Sequence, residues 1–195
     1  MMTQTIAAAI WFAGLIGWAV IRYPYERKAK KLRVAKSLLD RREQSLLAVA
    51  LLGLFVIPAV YVVTGFPRAL DRPFIPALAW LGLLTLIAAL WLFQRSHADL
   101  GRNWSITLQV RERHALVKSG VYRLIRHPMY SSFFLLGLAQ MLLIPNWLAD
   151  ASGVLGAGLL YVFRVAREER MMLDRFGDEY RSYMTLTKRI VPWIV

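Results

Sequence analysis

Residues 122–130 read YRLIRHPMY, and residues 164–172 read RVAREERMM. Together these stretches gather Tyr122, Arg126, His127, Tyr130, Arg164, Glu168 and Glu169 in an otherwise apolar chain. An arginine can hold a carboxylate through two parallel hydrogen bonds. A glutamate can hold an amino group or sugar hydroxyls, and histidine and tyrosine add further donors. Such a set can bind a polar cofactor from water and an apolar substrate from lipid. Taken singly, each residue has a simpler explanation. Arg164 and Glu168, four apart, make an ordinary helical ion pair with a snorkelling arginine. His127 can cap a helix, Tyr122 and Tyr130 can be interfacial anchors, and Glu169 can be a solvated charge. Only the combination points to chemistry.

The elements that must position these groups are membrane spans. The chain has 195 residues, 57% hydrophobic and 19% charged, against about 25% charged in soluble domains, and its mean hydropathy is +0.44. Crossing a bilayer core of about 30 Å takes about 20 apolar residues. Residues 3–21, 44–67, 73–94 and 128–149 meet that test, and 147–163 is a weaker fifth candidate with Asp150 near its start. The Pro145-Asn146 pair suits a turn, so 131–163 reads as a helical hairpin, with Gly153, Gly156 and Gly158 allowing close packing in lipid. The first segment lacks a basic leader and a small-residue cleavage site, so it reads as a retained helix.

Charge supports this arrangement. With five spans and the N-terminus outside, segments 22–43, 95–127 and 164–195 lie inside and hold 23 of the 25 Lys and Arg residues. Arg68 and Arg72 alone fall outside. That asymmetry follows the positive-inside rule and assigns the formal charge of +13 to cytoplasmic loops and anionic lipid rather than to nucleic acid. The absence of cysteine excludes disulfides and thiolates, and three histidines in no metal-binding spacing argue against a dedicated transition-metal site.

The expected fold is therefore an all-α integral membrane protein, one domain over 1–195. Three N-terminal spans occupy 1–94, and 95–195 forms the catalytic region. The 95–130 and 164–195 segments build a cytoplasmic cap over the helix ends. Within the cap, 106–110 is β-like, RERH reads as a turn, and Gly120 allows a sharp turn or close backbone approach to a ligand. Pro128 is a natural first helical residue, and Gly177 stops a helix before Asp178 and Glu179 open another.

HALVKSGVYRLIRHPMY (114–130) followed by FRVAREERMMLDRFGDEYRSYM (163–184) resembles the isoprenylcysteine carboxyl methyltransferase family, over about residues 94–195. The three family elements are H-x-L-V-x-x-G-x-Y-x-x-x-R-H-P-x-Y, R-x-x-x-E-E and F-G-x-E-Y, all intact and in order. The resemblance implies a membrane enzyme using S-adenosylmethionine, with a lipophilic substrate arriving from the bilayer. It assigns His114, Ala115, Leu116, Val117, Gly120, Tyr122, His127, Pro128, Met129, Tyr130, Glu168 and Glu169 to cofactor binding, with Gln109 as a further contact. Arg164 would face the substrate carboxylate, and Arg126 and Arg189 are further contacts for the carboxylate or the cofactor. The acceptor is already anionic, so transfer from a sulfonium needs positioning and electrostatics rather than a strong base.

The compact length points to a prokaryotic-type member, hence an inner-membrane protein with a cytoplasmic C-terminus. Three other functions remain open from sequence. A phospholipid N-methyltransferase would need a base such as Glu169. A membrane reductase would use NADPH. A lipid-binding scaffold would use the polar groups only as anchors. Oligomeric state leaves no mark in the sequence.

Overall fold

In the computed structural model the described residues are 1–30, 34–37, 40–104, 109–111 and 115–194, with 34–37 and 109–111 described by their backbone. Helix α1 spans Gln4–Ala29. Helix α2 (Arg41–Leu51), a π-helical turn (Leu52–Val56) and α3 (Ile57–Thr64) form one rod. Helix α4 spans Pro76–Leu100, α5 Pro128–Leu143, α6 Trp147–Phe176 and α7 Asp178–Leu186. Strand β1 (Val34–Ser37) pairs antiparallel with β2 (Gln109–Arg111), so part of the β-like stretch joins a two-stranded ribbon. Among the described residues, four helices are long and apolar enough to cross a membrane: α1, the α2–α3 rod, α4 and α6.

The hairpin forms, but its arms are unequal in the opposite sense to the sequence expectation. The expected span at 128–149 is a 16-residue helix ending at Leu143, about 24 Å long at 1.5 Å per residue. The weak fifth candidate is the start of a 30-residue helix, about 45 Å long. The break is set locally. Pro145 cannot continue a helix, and the Asn146 side chain accepts from the Ala149 N–H at 3.1 Å, capping α6. Arg72, one of the two basic residues expected outside, is built into this turn. Its Nε donates to Asp150 at 2.7 Å, and Nη2 donates to the Met141 and Ile144 carbonyls. Asn146 Nδ2 in turn donates to Asp71 and to the Pro67 carbonyl, each at 2.9 Å.

Glycine lets the helices approach closely. A Cβ on Gly53 would lie 2.1 Å from the Ser152 carbonyl oxygen, and one on Gly137 would lie 2.8 Å from the Val154 nitrogen. The π turn has an identifiable cause. Ile57 N–H bonds to the Leu52 carbonyl, five residues back, and Pro58 has no N–H for the next carbonyl, that of Gly53. Ser152 Oγ (2.9 Å) and Gln140 Nε2 (3.2 Å) donate to that oxygen instead.

Because α6 exceeds the bilayer core, its last turns extend beyond the short α5 into the cap. Gly177 ends it with φ +52, and its N–H bonds back to Leu173. Past α7 the chain returns alongside the start of α5. Arg126 N–H donates to Lys188 O and His127 N–H to Arg189 O, both at 2.9 Å. Ser131 Oγ donates to Ile190 O at 2.6 Å.

Candidate active site

One cavity, of about 280 Å³, lies where α6 leaves the bundle. Leu160, Arg164, Glu168, Met171 and Met172 line it from α6, the three- and four-residue spacing of a single helical stripe. Its cap wall is Ala115–Val117, Tyr122, Arg126, the start of α5 from His127 to Tyr130, and Tyr180 and Tyr183 of α7. Its opposite wall comes from the N-terminal half and is apolar apart from Arg22 of α1: Trp18 on α1, and Leu47, Leu51, Leu54 and Phe55 on α2 and the π turn. Polar and lipophilic walls therefore share one space, with Arg164 and Glu168 among its lining residues.

Arg164 does not pair with Glu168, contrary to the helical ion pair read from the sequence. Its Nε is 3.0 Å from Oε1 of Glu43, a fully buried residue in the first turn of α2. One turn further along α6, Arg167 pairs at 2.9 Å with Asp40, which also caps α2 by accepting from the Glu43 N–H at 2.8 Å. These two bridges fasten α2 to α6. Glu168 is left to the Tyr130 hydroxyl, which donates to it at 3.0 Å.

Glu169, one step around the helix, turns away from the cavity and is 5% exposed. It accepts from Arg126 Nε at 2.7 Å, and from Arg189 Nε at 3.1 Å and Nη2 at 2.7 Å. His127 Nε2 lies 3.3 Å away. It is therefore neither a solvated charge nor a lining residue. Arg189 is spent on it as well, outside the cavity. Arg126 lines the cavity but is tied to Glu169 and to the Thr187 carbonyl. His127 is the residue before α5, yet its side chain makes no capping bond.

Gly120 also lies outside the cavity lining. Its φ is +61, and a Cβ there would sit 2.0 Å from Asp99 Oδ2. That approach serves the loop, since Asp99 accepts from the Val121 N–H at 2.8 Å. Asn103 Oδ1 likewise accepts from Ala115 N–H at 3.1 Å. The end of α4 thus holds the 115–123 loop against the site. His114 and the Gln109 side chain lie outside the described residues.

The cap tyrosines are uncharged donors. Burial, reinforced by the Glu168 charge, holds the Tyr122 hydroxyl well above its usual range. Burial and the charges of Glu169 and Glu168 do the same at Tyr180. Burial pushes Tyr183 up to about 12, and its hydroxyl donates to the Tyr122 carbonyl at 2.6 Å. Among the described residues no cluster of His, Asp or Glu suits a metal ion.

The sequence reading missed Glu43, Asp99, Asn103, Trp18, Tyr180 and Tyr183. Asp40 three residues before Glu43, at the head of an apolar helix, was the available signal for a structured α2 start. Nothing local announced its partner on α6.

The sequence model of the isoprenylcysteine carboxyl methyltransferase family matches residues 80–174. A rice protein described as a probable protein-S-isoprenylcysteine O-methyltransferase is 27% identical over 131 residues, covering 66% of this chain and 67% of its own. Methanethiol S-methyltransferase 1 of Bradyrhizobium diazoefficiens is 34% identical over 74 residues, 37% of this chain and 25% of that protein. The structure of the eukaryotic intramembrane Ras methyltransferase, an isoprenylcysteine carboxyl methyltransferase, superposes with a TM-score of 0.57 at 24% identity. That alignment covers 80% of this chain and 55% of the other, so this chain spans about half of the solved protein. The fold is that of an integral, multi-pass membrane protein. The matched segment carries the cavity's α6 stripe and its cap wall except for Tyr180 and Tyr183, and over that segment the chain is similar to the isoprenylcysteine carboxyl methyltransferase family.

Proposed function

We propose that this protein methylates the carboxylate of a lipophilic acceptor, an isoprenylated cysteine, with S-adenosylmethionine as donor. The observation that carries the reading is a cavity that joins a polar cap wall to a mainly apolar wall of α1 and α2. When bound, the cofactor supplies a methyl group activated by a sulfonium. The lining suits a cationic, amino-bearing molecule: Glu168 has a neutral tyrosine hydroxyl, not a cation, as its hydrogen-bond partner. Ala115–Val117, Tyr122 and His127–Tyr130 supply the remaining cap contacts, as the family resemblance assigns them.

Arg164 orients the acceptor carboxylate, and Glu43 fixes the guanidinium for that task. The apolar wall takes the isoprenoid chain from the bilayer and keeps water from the reacting oxygen. No base is required. In this reading the cap faces the cytoplasm and the N-terminus lies outside, as the distribution of basic residues favours. Acceptance of an amine is disfavoured by Glu169, the base such a reaction would call on, because it is already held by Arg126 and Arg189.

The test is binding of S-adenosylhomocysteine and of NADPH to the protein in detergent. Methyl transfer to an S-farnesyl-cysteine analogue, phosphatidylethanolamine and methanethiol is measured alongside. We expect homocysteine-product binding and carboxyl methylation. Binding of neither cofactor, or transfer only to the amine or thiol, overturns the reading. Arg164→Ala is expected to lose turnover at least about tenfold with cofactor affinity retained; unchanged turnover removes its role.

A further inference from the structure

Arg22 is a cavity-lining cation with no role in the reaction described above. It sits in the penultimate turns of α1, and its side chain is 21% exposed. A snorkelling arginine at a helix end carries its head out to water. This one is held inward. Its guanidinium carbon lies 5.2 Å from the Trp18 ring centre and 5.5 Å from that of Trp104, and both indoles line the cavity with it.

Its charge is matched less completely than those of its neighbours. Arg164 has the fully buried Glu43, and Arg126 has the buried Glu169. Arg22 reaches Glu26 through Nε alone, at 3.4 Å. Glu26 is itself one-third exposed and shared with Lys30 at 3.0 Å. Arg22 and Arg164 also lie within electrostatic reach of each other, so two like charges face a poorly screened space. An anion between them relieves that repulsion. One turn before Arg22, and so on the same face, the Trp18 Nε1–H is buried and has no acceptor among the described residues. A buried donor without an acceptor is unfavourable, and an anionic oxygen beside Arg22 would supply one.

We propose that Arg22 is a second contact for the acceptor carboxylate, holding it from α1 while Arg164 holds it from α6. The inference rests on the carboxylate reading above and assigns part of the binding site to the N-terminal half, outside the matched segment 80–174. It makes the site selective for anionic acceptors. The neutral ester product would lose this contact, which favours its release.

The probes are S-farnesyl-thioacetic acid and its primary amide, titrated into the wild type, Arg22→Gln and Arg22→Lys, with S-adenosylhomocysteine affinity as the folding control. Arg22→Gln is expected to weaken the acid about tenfold and the amide less than about twofold, and Arg22→Lys to recover most of the acid affinity. Equal losses for acid and amide, or no loss, overturn the proposal. A wild type that binds acid and amide alike overturns the carboxylate reading and this inference with it. An acid preference undiminished by Arg22→Gln overturns this inference alone. Should Arg22→Gln lose the folding control, Glu26→Gln carries the test. Removing the competing carboxylate is expected to tighten acid binding about two- to fivefold, and unchanged or weaker binding overturns the proposal.

Discussion

Around Glu169 the cap end of the bundle is a closed polar cluster, with two arginines and a histidine on one carboxylate. One residue earlier, Glu168 faces a cavity with a tyrosine hydroxyl as partner. The two differ by one step of about 100° on the helix. Saturated by partners, a buried charge braces the fold; left partly satisfied beside a cavity, the same charge is available to a ligand. The opposite end repeats the first case. Asp150 is held by Arg72, which also takes two carbonyls at the α5–α6 break, and Asn146 ties Asp71 and the Pro67 carbonyl to the same turn. Both saturated clusters sit where the chain reverses beside α5, so they fix the hairpin whose cap end carries the site.

The comparison breaks most visibly in stability. Glu169→Gln strips the carboxylate from Arg126, whose side chain is only 9% exposed. Removing one partner of a buried pair costs about 3–5 kcal/mol. The low end is expected here because Arg189, 42% exposed, can solvate itself. Glu168 makes no salt bridge among the described residues, so Glu168→Gln is expected to stay within about 1 kcal/mol of wild type. Thermal unfolding of both variants in detergent measures the contrast. Equal losses would mean that the two carboxylates do the same structural job.

The contrast should reverse when the readout is ligand affinity. Glu168→Gln removes a charged acceptor from the cavity wall. A charge-assisted hydrogen bond contributes about 1.5–3 kcal/mol, so S-adenosylhomocysteine affinity is expected to fall about ten- to a hundredfold. Calorimetric titration of the variant decides it. Undiminished affinity places the cofactor's amino group elsewhere.

What the sequence disclosed of this division follows the range of each interaction. The motif residues Tyr122, Arg126, His127, Pro128, Met129, Tyr130, Arg164 and Glu168 all line the cavity. Local spacing on α6 and the turn before α5 suffices to bring them together. The helix stop at Gly177 was legible for the same reason, since its positive φ is a local demand. The partner of Arg164 was not. Glu168 satisfies the four-residue rule, but the buried Glu43 on α2 takes the guanidinium instead, and nothing within a few residues of either group records that choice. Adjacent glutamates look alike in a string of letters, so which of them met the cavity had to come from the rotation of α6 against α5. The short α5 was hidden for another reason. Hydropathy runs on through Ile144 and Leu148, and the break depends on Arg72 and Asn146 satisfying the exposed carbonyls and caps.

Tyr183 sharpens the comparison on a smaller scale, because it lines the cavity yet belongs with the saturated groups. Its hydroxyl donates to the Tyr122 carbonyl at 2.6 Å, and burial pushes its ionisation up to about 12 from an ordinary value of about 10. The folded value is raised, so the stability tied to the protonated hydroxyl is complete below about pH 10 and is lost as pH climbs towards 12. Tyr183→Phe cannot ionise there. At pH 8 the variant should be less stable by about 1 kcal/mol, the usual net contribution of one hydrogen bond. Between pH 10 and 12 the wild type should lose stability faster, and the gap should close. Paired unfolding curves across this range check the assignment. A gap that stays constant would mean that the hydroxyl is solvated through the cavity, and Tyr183 would then join Glu168 among the groups available to a ligand.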